Sequence, residues 1–289
     1  MAFALFLIVS ILSGIFGALS FVSNEFDDEN AVGEMQTYTV SGDIQELKLD
    51  INATQLVITE GDVFSVQSNN KYLKVSEQGN LLEITETERH YTNTSNKIRL
   101  EICVPTGTTF KKVDIFTGAG QVNVDRLAAE DLYLELGAGQ VQIETLEATR
   151  SSKINGGAGQ VIVNDGTLHN LNLDMGVGEL RIKSALTGDC DLDMGVGATY
   201  LNLVGSIDDY RIELDKGVGA ATLEGESLSD GAVRGSGENT IDIDGGVGEI
   251  RISFSENTAA LIYFYLCLYL YGRAGACSRF CICAYEIRK

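Results

Sequence analysis

Seven Gly-x-Gly elements recur along the second half of the chain, and their spacing constrains the fold more than any other feature. They are Gly118-Ala119-Gly120, Gly137-Ala138-Gly139, Gly157-Ala158-Gly159, Gly176-Val177-Gly178, Gly195-Val196-Gly197, Gly217-Val218-Gly219 and Gly246-Val247-Gly248, with successive starts 19, 20, 19, 19, 22 and 29 residues apart. A near-constant period of this size marks a stacked repeat, in which each unit buries its apolar face only against its neighbours.

The flanks of the elements share one grammar. With the central residue of each element as position zero, apolar residues stand at minus six, minus four and often minus two, at zero, and at plus three and plus five. In the fourth repeat these are Leu171, Leu173, Met175, Val177, Leu180 and Ile182; in the last they are Ile241, Ile243, Val247, Ile250 and Ile252. Alternation with period two predicts strands with one buried face. The parity shifts after position zero, so each Gly-x-Gly reads as a corner or bulge, with its small central side chain expected to point inward. Glycine is expected there because stacked corners crowd and favour positive φ. The predicted fold is all-β: a single-stacked β-solenoid or β-helix-like repeat domain with about seven Gly-x-Gly corners, preceded by one N-terminal transmembrane helix.

That helix is the segment from Ala2 to Val22, which carries no charged residue and is long enough to cross a bilayer. It lacks the basic n-region and shorter apolar core of a cleaved signal peptide, so residues 1–23 read as an uncleaved anchor. An acidic linker, residues 24–34, follows, and no Lys or Arg occurs before Lys48, which favours export of the rest. The expected location is the cell membrane, single-pass, with the β domain outside the cytoplasm. Residues 35–104 read as a leading β-strand or cap region without the glycine signature, and residues 105–254 as the repeat region.

After Phe254 the pattern breaks. Residues 259–271 form 13 uncharged residues, too few for a comfortable span, and the atypical Cys- and Tyr-rich tail 255–289 reads as a foreign or frame-shifted extension, or else as an interfacial element. Its Cys267, Cys277, Cys281 and Cys283 lack a recognised zinc spacing, and Cys103 and Cys190 read as buried small apolar residues. No cofactor is indicated.

The phrase Ile102-Cys103-Val104-Pro105-Thr106-Gly107-Thr108-Thr109-Phe110, followed by Gly-Ala-Gly corners and strands such as Gln160-Val161-Ile162-Val163, resembles the bacterial putative-adhesin β-strand-repeat family, also called toastrack domains. The resemblance covers roughly residues 36 to 254. It implies a membrane-anchored, extracytoplasmic, right-handed solenoid-like domain associated with envelope-stress systems, and it supplies no catalytic residues.

Charge narrows the partners. The chain has 41 acidic and 21 basic residues, a formal charge of -20, so nucleic acid and anionic lipid are poor partners and cations or basic surfaces suit it better. Position minus three holds Phe116, Glu135, Asn155, Asp174, Asp193, Asp215 and Asp244. Stacked in register, Glu135, Asp174, Asp193, Asp215 and Asp244 would form an exposed carboxylate column, a candidate for divalent cations such as calcium against the favoured reading of plain solvation. Position plus two holds Gln121, Gln140 and Gln160, which could form an amide ladder.

Only His90 and His169 are present, and no nucleophile elbow, metal-binding His pair or phosphate loop occurs. The sequence therefore reads as a non-enzymatic binding or sensing module of the bacterial envelope, with an envelope protein as its partner. The alternative is an adhesive or structural surface protein whose acidic column takes cations. A carbohydrate-active enzyme using acids such as Asp174 and Asp193 ranks last.

Overall fold

Alternating residues at the repeat spacing give strands that turn at glycine and pair with their equivalents one repeat away. A computed structural model of the chain describes residues 31–87 and 98–256. The anchor segment 1–23, residues 24–30 of the linker, His90 and the tail from residue 257, with its four cysteines, lie outside the described residues. Among the described residues no helix is long and apolar enough to cross a membrane.

Seven strands precede the first glycine corner: β1 (Val32–Thr39), β2 (Glu46–Ala53), β3 (Gln55–Gly61), β4 (Ser65–Asn70), β5 (Leu73–Gln78), β6 (Leu81–Glu86) and β7 (Arg99–Pro105). A continuous extended run, β8 (Phe110–Val163), passes through three corners, and β9 (Gly166–His169), β10 (Leu171–Thr187) and β11 (Asp189–Val204) follow. A single 3-10 turn at Ile207–Asp209 leads to β12 (Tyr210–Asp215), β13 (Val218–Leu223), β14 (Glu226–Ser227), β15 (Ala232–Gly235) and β16 (Asn239–Ser255). The described residues are otherwise all-β.

The rungs are parallel and in register. Leu173 of β10 pairs with Ile154 of β8 on one side and Leu192 of β11 on the other, and Leu192 pairs in turn with Ile243 of β16. These residues are buried, as are Leu180, Ile182, Leu201 and Ile252 on the far side of the corner. Each such Leu or Ile withdrawn from water is worth about 1.5–3 kcal/mol, so the alternating apolar face stabilises the stack together with the backbone ladders.

Stacking does not follow sequence order. β16 lies between β11 and the rung made of β12 and β13: Val247 pairs with both Val196 and Val218. The longer spacings of 22 and 29 residues have their cause here. The chain lays down β12 and β13 two rungs from β11, runs out through β14 and β15, and returns as β16 to fill the gap. Both ends of the stack finish in antiparallel strands: β1 on β4 and β5 on β6 at one end, β15 on β12 and β14 on β13 at the other. Short or antiparallel edges of this kind blunt further strand addition.

The first rung turns without glycine. Ala53 pairs with Ala119, and the flanking Asn52 and Thr54 lie beneath the Glu86 carboxylate, which accepts from the Asn52 amide N–H at 2.8 Å, Thr54 Oγ1 at 2.6 Å and Asn70 Nδ2 at 2.9 Å. At the later corners the neighbouring backbone takes that space. Gly178 has φ +146°, and a Cβ there would stand 1.8 Å from the Gly159 carbonyl oxygen.

The central side chains depart from the inward orientation expected of them. Ala119, Ala138, Ala158, Val177 and Val196 are only half-buried, while Val247 is 39% and Val218 69% exposed. The interior of the corner is already occupied by the buried residues at minus two and plus three, such as Met175 and Leu180, and by stacked glycine carbonyls. Val218 and Val247 are left on the outside, while Ala138 and Ala158 border the small hollow at the corner.

Candidate binding surface

Two exposed columns run up the stack before the corner. At minus three, Asn155 pairs with Asp174, Asp174 with Asp193, Asp193 with Asp244, and Asp244 with Asp215. Asn155 therefore separates Glu135 from the other carboxylates, and the inserted strand places Asp244 between Asp193 and Asp215. At minus five, Asn172 pairs with Asp191, Asp191 with Asp242 and Asp242 with Glu213, so the last rungs carry a second acidic column that the minus-three pattern alone does not reveal.

The two halves of the minus-three column behave differently. In the first, Phe116 packs edge-on against Tyr133 with centroids 5.3 Å apart, the Tyr133 hydroxyl donates to Glu135 Oε2 at 2.8 Å, and Asn155 Nδ2 donates to the Tyr133 oxygen at 3.2 Å. In the second, Asp174, Asp193 and Asp244 have no hydrogen-bond donor or ion-pair partner among the described residues. Partial desolvation, followed by the charges of Asp191, Asp244, Asp174 and Asp242, raises the Asp193 carboxyl above its ordinary range. Asp242 is raised in the same way, first by desolvation and then by Asp244, Glu213 and Asp191. Among the described residues no three His, Cys, Asp or Glu side chains converge where they could hold a metal ion. The column is a line of separate charges about 4.8 Å apart, the distance between neighbouring strands.

Elsewhere several acids are paired. Lys48 meets Glu83 at 2.8 Å, Arg126 meets Glu147 at 2.5 Å, and Arg150 binds Asp131, holding its carboxyl down at about 2.

Beyond the corner, the amide ladder is displaced by one rung from its expected position. Gln140 Nε2 donates to Gln160 Oε1 at 2.9 Å and Gln160 Nε2 to Glu179 Oε1 at 2.9 Å, so Glu179 takes the end place and Gln121 stays outside. At plus four, the Arg181 guanidinium lies 4.2 Å from the Tyr200 ring centroid and that of Arg251, from the next rung, 5.6 Å. Glu179 and Glu249 anchor those two arginines. This cluster was not singled out from the sequence; its signal is Arg, Tyr and Arg at the same repeat position once the rungs are ordered β10, β11, β16.

His169 is half-buried, its Nδ1 3.0 Å from Thr187 Oγ1 and its carbonyl accepting from Ser152 Oγ, so it ties neighbouring rungs together. Cys190 is buried, and desolvation pushes its thiol up to about 11; Cys103 is half-buried against Gly61. The hollow inside the corners at Gly137, Gly157 and Met175 has room for little more than one water, about 20 Å³. Recognition at these rungs would use the outer surface.

A family model described as Toastrack DUF4097 matches residues 44–260. The chain belongs to the Toastrack family. The likeness carried by Ile102 to Phe110 and the Gly-Ala-Gly corners is thereby shown. Solved structures similar to this Toastrack chain include a putative adhesin from Bacteroides fragilis, 14% identical, covering 75% of this chain and 95% of its own, with a TM-score of 0.41. A putative cell adhesion protein from Clostridium sporogenes is 15% identical, with coverage of 77% and 99% and a TM-score of 0.35. A putative adhesin from Parabacteroides distasonis is 14% identical, with coverage of 78% and 98% and a TM-score of 0.39. No curated protein matches the chain at a significant level.

Proposed function

We propose that this Toastrack protein is a non-enzymatic binding or sensing module of the bacterial cell envelope, a β-solenoid held outside the cytoplasm by the apolar segment 1–23 and serving an envelope-stress response. The observation that carries the reading is the surface of the last rungs, where in-register carboxylates without an ion-pair partner and the exposed Val218 and Val247 share the same strands. A rigid repeat face of this kind recognises partners by area and charge, without a pocket. The test is in-situ crosslinking of the full chain in bacterial membranes, followed by identification of what it captures. Recovery of one envelope protein with defined crosslink positions is the expected result; absence of any specific partner would remove the reading.

A second reading, a cation-binding adhesive or structural protein, is favoured by one observation: the in-register Asp174, Asp193, Asp244 and Asp215 have a charge repulsion that divalent ions would relieve. A melting temperature that rises by several degrees in millimolar calcium, and not at matched ionic strength, would support it. An unchanged melt would sink it.

A further inference from the structure

Four consecutive rungs, those of β10, β11, β16 and β13, have valine at the corner where the three rungs of β8 have alanine. Alanine suffices to make the turn, as Ala119, Ala138 and Ala158 demonstrate. The change to valine therefore adds apolar surface at the corner, exposed at Val247 and Val218 and half-buried at Val177 and Val196, where exposure costs solubility. The same four rungs carry the aspartates at minus three, lined up although like charges on neighbouring strands repel. On the other side of the ridge, Glu179 and Glu249 at plus two are already paired with Arg181 and Arg251, so the unpaired carboxylates lie on the minus side. From minus five to zero in these rungs Lys216 is the single cation, and its ammonium is turned to the Gly219 carbonyl at 3.3 Å.

Resting on the reading of the protein as a binding module, we infer that this ridge docks a cationic amphipathic helix of a partner protein, with the helix's apolar stripe on the valines and its Lys or Arg residues on the aspartates beside them. Exposed valines and aligned aspartates are each unfavourable in the isolated domain, and this occupant relieves both. A purely basic chain would leave the valines bare. Anionic lipid would meet carboxylates, and so would a second copy of the same face, from a chain of net charge -20. Spacing selects the helix: its pitch of about 5.4 Å returns a side chain to one face nearly once per rung of about 4.8 Å, whereas an extended strand does so only every ~6.8 Å.

The test is surface plasmon resonance with the immobilised full chain. The probe is a synthetic helical peptide of Leu and Lys, its Leu stripe flanked by Lys, run beside an isomer of the same composition with the stripe scrambled. The expected result is binding of the patterned peptide at physiological salt, with at least tenfold weaker binding of the scrambled isomer. Asp193→Asn with Asp244→Asn, and separately Val247→Ser with Val218→Ser, should each weaken it by about tenfold. Asp43→Asn with Asp62→Asn, the same charge change at the other end of the stack, should not. No binding, equal binding of the two isomers, or equal loss from the Asp43 and Asp62 pair would overturn the inference. If membrane crosslinking captures a partner that contacts only the first rungs, the docking ridge is refuted while the binding-module reading stands.

Discussion

Thr240 and Asp189 stand 51 residues apart in the chain and are bonded across adjacent rungs, Thr240 Oγ1 donating to Asp189 Oδ1 at 2.5 Å. The contact records the late return of β16 into the stack. A chain ending at Gly237 leaves β11 and the β12–β13 rung without the strand that joins them, and amide exchange in β12 and β13 should accelerate to that of open chain while β10 stays protected. Retained protection of the Ile212 and Leu214 amides would contradict this.

Gly178 and Gly159 show how closely the corners stack. Gly178→Ala forces a Cβ toward a carbonyl oxygen at 1.8 Å on a backbone at φ +146°, and should cost about 3 kcal/mol or more. At Gly79, φ +66° with nothing within 4 Å, the same change should cost only about 1 kcal/mol. Equal losses in urea unfolding would show that crowding is not what requires glycine at the corners.

The aspartates Asp193 and Asp242 have folded-state carboxyls raised above the unfolded value of 3.8. In the window between those values the folded protein binds more protons, so their contribution to stability is greatest below 3.8 and is lost as pH rises through the raised value. Asp193→Asn and Asp242→Asn should therefore raise the melting temperature at pH 7, with the gain shrinking as the solution is acidified. A gain that is independent of pH would rule out charge repulsion as its source.

Asp131 runs the other way. Its hydrogen bonds from Arg150 hold the carboxyl at about 2, so the stability they confer is present above pH 3.8 and lost as pH falls toward about 2. Arg150→Gln should remove that part of the acid dependence. Because Arg150 is exposed, its effect at neutral pH should be small.

Tyr210 is buried, its hydroxyl donates to the Val204 carbonyl at 2.6 Å, and burial pushes its phenol up to about 12. Tyr210→Phe should cost about 1 kcal/mol by leaving that carbonyl unsatisfied. A phenylalanine variant as stable as the parent would mean that water reaches Val204.

The fold was legible where local pattern and stacking agree. Leu171, Leu173, Leu180 and Ile182 alternate as a half-buried strand must, and their partners one period away are apolar too. The rung order was not, because Val247 stacks between Val196 and Val218 through a connection whose length, but not whose path, is written in the 29-residue spacing. Alternation also missed that Val218 and Val247 are exposed at the corner, because parity cannot be counted through Gly217 and Gly219 or Gly246 and Gly248. The same rung order hid the doubled acidic columns and the Arg181–Tyr200–Arg251 cluster, since both depend on which strands lie side by side.

From the Ala53 corner to the Val218 corner the stack takes about seven steps of ~4.8 Å, or roughly 34 Å, with the parallel strands β6 and β7 and then antiparallel strands beyond Ala53. Excising one regular 19-residue repeat would shorten that distance by about one step and leave the remaining pairings intact. The number of repeats between them thus sets how far the valine-tipped rungs stand from the Ala53 rung.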